Sequence, residues 1–512
     1  MAGTGLSCTI PWNISASLRY LDLSHNNILG SIPESIFQLP KLDSLILSYN
    51  SELVGSLPKF SWNCNQTLQG LDLSSTNISG ELPNSISNLK SLKHFMLTDS
   101  SFSGFIPQSI GNLTHLKEMR FEMNKFSGSV PSTISSLNQL TLLGLSYNHF
   151  EGEIPDIFSN LQELTGLNFI ENNFYGRFPS SIVNLTQLEL LDLDGSSQIG
   201  PLPSVATGLQ KLQALFLSEN KLNGTIPPWV FCIPSLLFLH LEGNQFTGSL
   251  PEISCKSSLQ TVVLHDNQLD GLISHSISNL VHVSDLFLAS NNFSGTIPPY
   301  IFSIPSLYNL DLSRNRFTGK LPEISSKSSV EIVDLSNNQL DGLIPHSISN
   351  LVNVSHMFLA SNNFSGTIHP CIFSIPSLYY LDLSKNRFTG SLPEISCKSS
   401  LRNVDLSKNQ LDGLIPHSIS ELLHVDKLLL ASNNFSGTIP PNIFSIPSLL
   451  YLDLSRNRFT GKLPEISSKS SLLSVDLSNN QLDGLIPHSI SNLLNASVLN
   501  FASNNFSGEV AT

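Results

Sequence analysis

Four histidines, His275, His346, His417 and His488, recur at intervals of 71 residues and are the first residues that invite a metal reading. Their spacing equals three turns of the repeat described below, which sets them roughly 15 Å apart at strand spacing. A shared zinc requires bonds of about 2 Å, so the expected role is an exposed histidine copied by duplication. Acidic pairs arise in the same way: Asp311 with Asp334, Asp382 with Asp405, and Asp453 with Asp476 occupy one position in adjacent turns. Stacked acids can share a proton or hold a cation, but Arg314, Lys385 and Arg456 lie three positions along and point to charge balance instead. No phosphate-cradling glycine loop, kinase signature or nucleophile elbow occurs. No catalytic residue, metal or cofactor is expected.

The cysteines fit an oxidising compartment. Cys232 and Cys255 are 23 residues apart, one repeat, so stacking brings them near the Cα separation of about 5–6 Å that a disulfide needs. Cys371 and Cys397 are 26 apart, an offset of about three residues, while Cys8 and Cys64 have no local partner. Twelve Asn-x-Ser/Thr sequons begin at Asn13, Asn65, Asn77, Asn112, Asn184, Asn223, Asn292, Asn353, Asn363, Asn434, Asn495 and Asn505. Together with the cysteines they point to the secretory pathway, with glycans as the expected modification.

The element that positions all of these is a repeat. LDLSHNNILGSIP from Leu21 returns as LGLSYNHFEGEIP from Leu143, LFLSENKLNGTIP from Leu215 and LDLSRNRFTGKLP from Leu310. With the Asn of LxLxxN as marker there are 21 turns; Asn26 to Asn504 spans 478 residues in twenty steps, a mean of 23.9. Alternation in LxL predicts a short strand with one buried face, ending two residues before the marker. The marker Asn, donor and acceptor on a short side chain, predicts a ladder that satisfies backbone groups between stacked turns. Thr76, Ser100 and Ser196 replace it and are expected to be less well satisfied. Two residues on stands a large apolar residue, Phe in twelve turns, which predicts an aromatic spine. A Gly four after the marker permits a left-handed turn, and a Pro seven after it removes a donor.

A second period overlies the first. LPEIS begins at 250, 321, 392 and 463, and NQLDGLI at 267, 338, 409 and 480. Residues 244–512 therefore read as eleven repeats built on a 71-residue cassette of three. Residues 18–243 hold ten distinct repeats, and residues 1–17 read as the remnant of an N-terminal cap. Composition fits a repeat array: charged residues are only 13% of the 512 and the net charge is −13. That balance argues against nucleic acid, and no window of about 20 apolar residues is present to span a membrane.

The frame resembles the plant extracellular class of leucine-rich repeats, LxxLxLxxNxLxGxIPxxLxxLxx, over roughly residues 18–508, with GxIP its specific half. The resemblance implies an α/β solenoid: a right-handed superhelix with a parallel concave sheet, second short strands and convex 3₁₀ turns. Pathogen-recognition receptor-like proteins of plants are the nearest group. It implies a non-catalytic ectodomain at the outer face of the plasma membrane that binds a peptide, protein or glycan elicitor. Signalling in defence would then pass through an adaptor receptor kinase and a co-receptor kinase. The rival is a secreted apoplastic inhibitor of a microbial wall-degrading enzyme, although such inhibitors are about half as long. The N-terminus lacks a basic start and an apolar core, and the last turn stops at Glu-Val-Ala-Thr; the expectation is a fragment of an ectodomain with an uncapped end.

Ligand recognition is expected on the variable positions of the concave strands. In the distinct half these are Tyr49, Lys93, His94, Lys117, Glu118, Arg120, Glu122, Tyr147, Glu171, Phe216, Phe238, His240 and Glu242. Aromatics and both signs of charge on one rigid surface suit recognition. The cassette half offers Asp or Phe in rotation, a periodic and less specific surface.

Overall fold

The computed structural model describes residues 2–59, 67–324, 328–395, 399–467 and 470–508. The chain divides into two compact units, Met1–Leu259 and Gln260–Thr512. In both, each turn runs from a three-residue strand through a marker residue to a second short strand, and most turns then add a 3₁₀ turn.

In the first unit ten principal strands, from Tyr20–Asp22 to Phe238–His240, form a parallel ladder. Register follows the repeat, Leu21 opposite Leu45 and Leu45 opposite Leu71. In the second unit eleven strands, from Thr261–Val263 to Val498–Asn500, do the same. The middle residue of a strand points inward, as Leu45, Leu143 and Leu310 do, and its two neighbours face outward half-exposed.

The strands are shorter than the sequence predicts. Each ends four residues before its marker, as Leu190–Asp192 does before Ser196, rather than two. The cause is a left-handed residue immediately before the marker in all 21 turns. In nineteen turns it is not glycine; examples are His25 at φ 53°, Tyr147 at 53° and Lys385 at 54°. Gly195 and Gly243, both at φ 65°, take the place in turns eight and ten. This conformation costs a side chain about 1–2 kcal/mol, so neighbouring bonds must impose it. The corner N–H donates to the next turn, as Tyr147 does to Ile170 O at 2.9 Å. The marker Asn clamps the other side.

That clamp is the ladder the sequence predicts. Asn124 Nδ2 donates to Leu97 O at 2.7 Å in the turn before and to Glu122 O at 3.1 Å in its own. Its Oδ1 accepts from Phe102 N at 3.0 Å. Asn148 and Asn315 repeat the geometry. Thr76 and Ser100 each donate to Leu73 O and lie 3.4 Å from one another, and Thr76 Oγ1 also accepts from Ile78 N at 3.5 Å, whereas Ser196 Oγ is buried with no partner. The aromatic spine is continuous only from Phe102 to Phe174, at ring spacings of 6.1–6.2 Å. In the second unit it breaks into pairs such as Phe293–Phe317, because every third turn carries Leu instead.

Cys232, at the end of the helical turn Trp229–Cys232, is joined to Cys255 with a Cα separation of 5.7 Å. Cys8 and Cys371 are free thiols, and Cys64 and Cys397 lie outside the described residues.

Candidate functional site

The residues expected on one strand surface fall into four rows. His94, Glu118, Arg120, Phe216, Phe238 and His240 are outward strand residues. Lys93 and Lys117 precede their strands, and their carbonyls accept from the following turn. Glu122 and Glu242 follow the second inward apolar residue of the frame, Phe121 and Leu241. Tyr49, Tyr147 and Glu171 are not strand residues at all: they occupy the left-handed corner and line the flank of the sheet. Tyr147 is 52% exposed, and Tyr49 stacks on His25 at 4.2 Å.

Two clusters emerge in the first unit. In one, Glu118 sits between His94 Nδ1 at 3.6 Å and Arg120 Nε at 3.3 Å, while Glu122 accepts from Thr98 Oγ1 at 2.7 Å. In the other, Asp192, Phe216 and His240 are cross-strand partners, with the Phe216 and His240 rings 4.8 Å apart. Asp194, Ser218 and Glu242 form the adjacent row. Asp192 and Asp194 are absent from the sequence expectation. The signal was available, because turn eight reads LDLDGSSQ where most other turns place Ser at the position of 194, Asn at that of 196 and a large apolar residue at that of 198.

Burial pushes the Asp194 carboxyl up to about 7; the charges of Asp192 and Glu242 add to this, and the Ser218 N–H opposes it. The folded state thus holds this proton more tightly than the unfolded chain, whose Asp titrates near 3.9. Stability is expected to be highest below that value, to fall as pH rises through about 7, and to level off above it. Three units correspond nominally to about 4 kcal/mol; partial exposure screens this to about 1–2 kcal/mol. Asp194→Asn should flatten the dependence, and melting temperatures at pH 5 and pH 8 check it. An unchanged difference between the two pH values in Asp194→Asn contradicts the assignment.

The acidic pairs of the second unit are direct strand partners: Asp311 with Asp334, Asp382 with Asp405 and Asp453 with Asp476. Each accepts the N–H of the serine two residues on, as Asp334 does from Ser336 at 2.8 Å. Burial raises Asp334 and Asp405, reinforced by their like-charged neighbours. Arg314, Lys385 and Arg456 stand at the left-handed corners and form no ion pair with these acids among the described residues. His275, His346, His417 and His488 each open a 3₁₀ turn, and His346 packs on His369. Among the described residues no three His, Cys, Asp or Glu side chains are grouped to hold a metal.

Leucine rich repeat models match residues 305–364 and nine further segments between 17–39 and 471–493, together about half of the chain. Receptor-like protein 31 of Arabidopsis thaliana is 34% identical over 103 residues, 20% of this chain and 12% of that protein. Receptor-like protein 9DC1 of Solanum pimpinellifolium is 45% identical over 53 residues, 10% of this chain and 6% of that protein. These alignments therefore span about an eighth or less of the curated relatives. Solved structures match far more. A TDR receptor has a TM-score of 0.89 at 32% identity, covering 99% of this chain and 88% of that one. The plant peptide hormone receptor RGFR1 in complex with RGF2 gives 0.81 at 33%, covering 99% and 82%. The Arabidopsis receptor kinase HAESA, in complex with the peptide hormone IDA and the co-receptor SERK1, gives 0.81 at 32%, covering 99% and 85%. With its repeat, its parallel strand ladders and these family models over about half of its length, the chain belongs to the leucine-rich-repeat family and is similar in fold to the ectodomains of plant receptors.

Proposed function

We propose that this chain is the ligand-recognition region of a plant cell-surface receptor-like protein, and that its ligand is a peptide. The likeness to a peptide hormone receptor across 99% of the chain carries the reading. Recognition is assigned to the sheet face of the first unit between Lys93 and Glu242, where neighbouring turns present different side chains. A rigid surface with half-exposed aromatics supplies anchors, and charge clusters supply register. Signalling then runs through partners outside this chain, an adaptor receptor kinase and a co-receptor kinase, in defence at the plasma membrane.

Panning a displayed random-peptide library against the full chain tests this. The expected result is a family of related peptides with saturable, one-to-one binding. Enrichment of no sequence family contradicts peptide recognition.

Glycosylation accompanies that location. Asn13, Asn77, Asn112, Asn184, Asn223, Asn353, Asn495 and Asn505 are exposed, Asn292, Asn363 and Asn434 are half-buried, and Asn65 lies outside the described residues. In protein secreted from plant cells, occupancy is expected to be high at the exposed set and lower at the other three. Mass spectrometry of deglycosylated peptides reads each position, and equal occupancy across both sets contradicts the ordering.

A further inference from the structure

Counted from LPEIS, the first three cassettes of the second unit run 250–320, 321–391 and 392–462. Their third outward strand position repeats Asp or Phe, but the first outward position changes. Asp285 and Asn309 are cross-strand partners in cassette one, and Lys427 and Tyr451 in cassette three. Cassette two sets His356 opposite Tyr380 instead. With Phe358 at the third position and Tyr379 just before the next strand, four rings meet on one outward face. Tyr380 lies 6.1 Å from His356, with the planes 14° apart, and 5.0 Å from Phe358. His356 lies 5.9 Å from Tyr379 and 6.2 Å from Phe358. Tyr379 is 40% exposed and the other three are half-buried. In cassette three the Lys427 ammonium covers the Tyr451 ring at 5.1 Å, whereas no cation covers Tyr380 or Phe358 among the described residues.

The rings are held in place. His356 Nδ1 lies 2.8 Å from Ser355 Oγ, which donates to Glu331 Oε1 at 3.3 Å. Arg402 stands over Tyr379 at 5.5 Å and pairs with Asp426 at 3.5 Å. A pre-ordered aromatic face costs a ligand little ordering entropy and supplies anchors. The rim decides which ligand fits. Asp382 stands opposite Phe358 and Asp405 opposite Asp382. Each accepts the N–H of the serine two residues on, at 2.9 and 2.8 Å, and a carboxylate with about four acceptor positions keeps capacity beyond that. Asn403, opposite Tyr380, adds a donor and an acceptor, and Arg402 adds donors of positive charge. Both charge signs around apolar ring faces complement a neutral molecule whose own groups donate and accept, which is what hydroxyls do. A pyranose carries such hydroxyls at its edge and C–H bonds on its faces, and C–H bonds are attracted to the negative face of an aromatic ring. The rings stand on a strand ladder and not in a cleft, so the ligand must meet them with a flat face.

The geometry points to a second binding site, on cassette two, for a neutral oligosaccharide of flat, equatorially linked pyranoses. The sugar stacks on Tyr380 and Phe358, and its hydroxyls bond to Asp382, Asp405 and Asn403. This site stands apart from peptide recognition, which is assigned to the first unit.

Calorimetric titration of the full chain with cellohexaose, chitohexaose, maltohexaose and tri-arginine tests it. At least one of cellohexaose and chitohexaose, which share a flat β-1,4 backbone, is expected to bind saturably, and the curved α-1,4 chain of maltohexaose about tenfold or more weaker. His356→Asp/Tyr380→Asn installs the cassette-one pair, which forms its own hydrogen bond between Asn309 and Asp285, and should lower affinity about tenfold or more, as loss of an anchor does. Tyr20→Ala/Tyr175→Ala removes two exposed tyrosines of the first unit and should leave affinity unchanged; thermal melts confirm that both double variants fold. Absence of saturable binding by both flat oligomers overturns the proposal. Equal losses in the two double variants overturn it as well, because they indicate indiscriminate adhesion to tyrosine. So do equal affinity for maltohexaose, which would mean no selection for a flat face, and tri-arginine binding with the same dependence on Tyr380, which would make this a cation site. Each of these outcomes leaves the library selection, and with it peptide recognition, to stand or fall separately.

Discussion

Asn148→Ala is expected to destabilise the first unit by about 3 kcal/mol, more than most surface or loop changes achieve. Asn148 is 6% exposed and its amide joins two turns. Nδ2 donates to Phe121 O at 2.9 Å in the turn before and to Leu145 O and Ser146 O at 3.1 Å in its own. Oδ1 accepts from the buried N–H of Phe126 at 2.9 Å. Alanine strands that N–H away from water, and the penalty for a buried unpaired donor exceeds the net worth of the bond. It also releases the left-handed corner at Tyr147. Arrays of repeats unfold without strict two-state cooperativity, so amide exchange at Phe126 and Tyr147 is the sharper readout beside urea unfolding. Unchanged protection at both amides would show that the marker is not the clamp.

Phe150→Ala is expected to cost about 3–5 kcal/mol, the range for truncating a fully buried phenylalanine. Its ring is inaccessible and lies between Phe126 and Phe174, 6.1 Å from each. Both neighbours would border the cavity, and the parallel backbones on either side restrict collapse into it. Phe150→Leu should cost only about 1–1.5 kcal/mol, because Leu222 and Leu340 fill the equivalent place in other turns with no exposed surface. Denaturant midpoints separate the two variants. Equal losses from Ala and Leu would mean that stacking, rather than filled volume, holds the spine.

What was legible in the sequence depended on whether a position restricts its residue types. Buried positions do. The LxL strand, the marker Asn and the apolar residue two beyond it each have a buried duty, and so their period could be read directly from the chain. The left-handed corner has a conformational duty but a free side chain, so His25, Glu171, Arg314 and Ser361 all occupy it. No composition signal survives there, and the strand was consequently expected to run two residues too far. Tyr49 and Tyr147 were placed on the strands for the same reason. The Asp194 cluster was missed for the opposite cause. Turn eight departs from the frame at Asp194, Ser196 and Gln198 together, and of these only the marker position of Ser196 is restricted enough for a departure to stand out in the sequence. Gln198 is buried with Oε1 unpartnered, a local cost that marks the turn as unusual.

The division of labour between the halves is the point most open to direct measurement. The distinct turns from Lys93 to Glu242 offer a peptide one register, whereas the cassettes repeat every 71 residues and offer several equivalent ones. The measurement is the affinity of a library-selected peptide for three proteins: the full chain, an Arg120→Ala/Tyr147→Ala/Phe216→Ala variant, and a chain lacking residues 316–386, one whole cassette. Each side chain is expected to contribute about 1–3 kcal/mol if it is an anchor. The triple variant should therefore lose binding, and the cassette deletion, which preserves the phase of the repeat, should retain affinity within a few-fold. Loss of binding on cassette deletion together with full affinity in the triple variant would contradict recognition by the first unit and move it to the periodic surface.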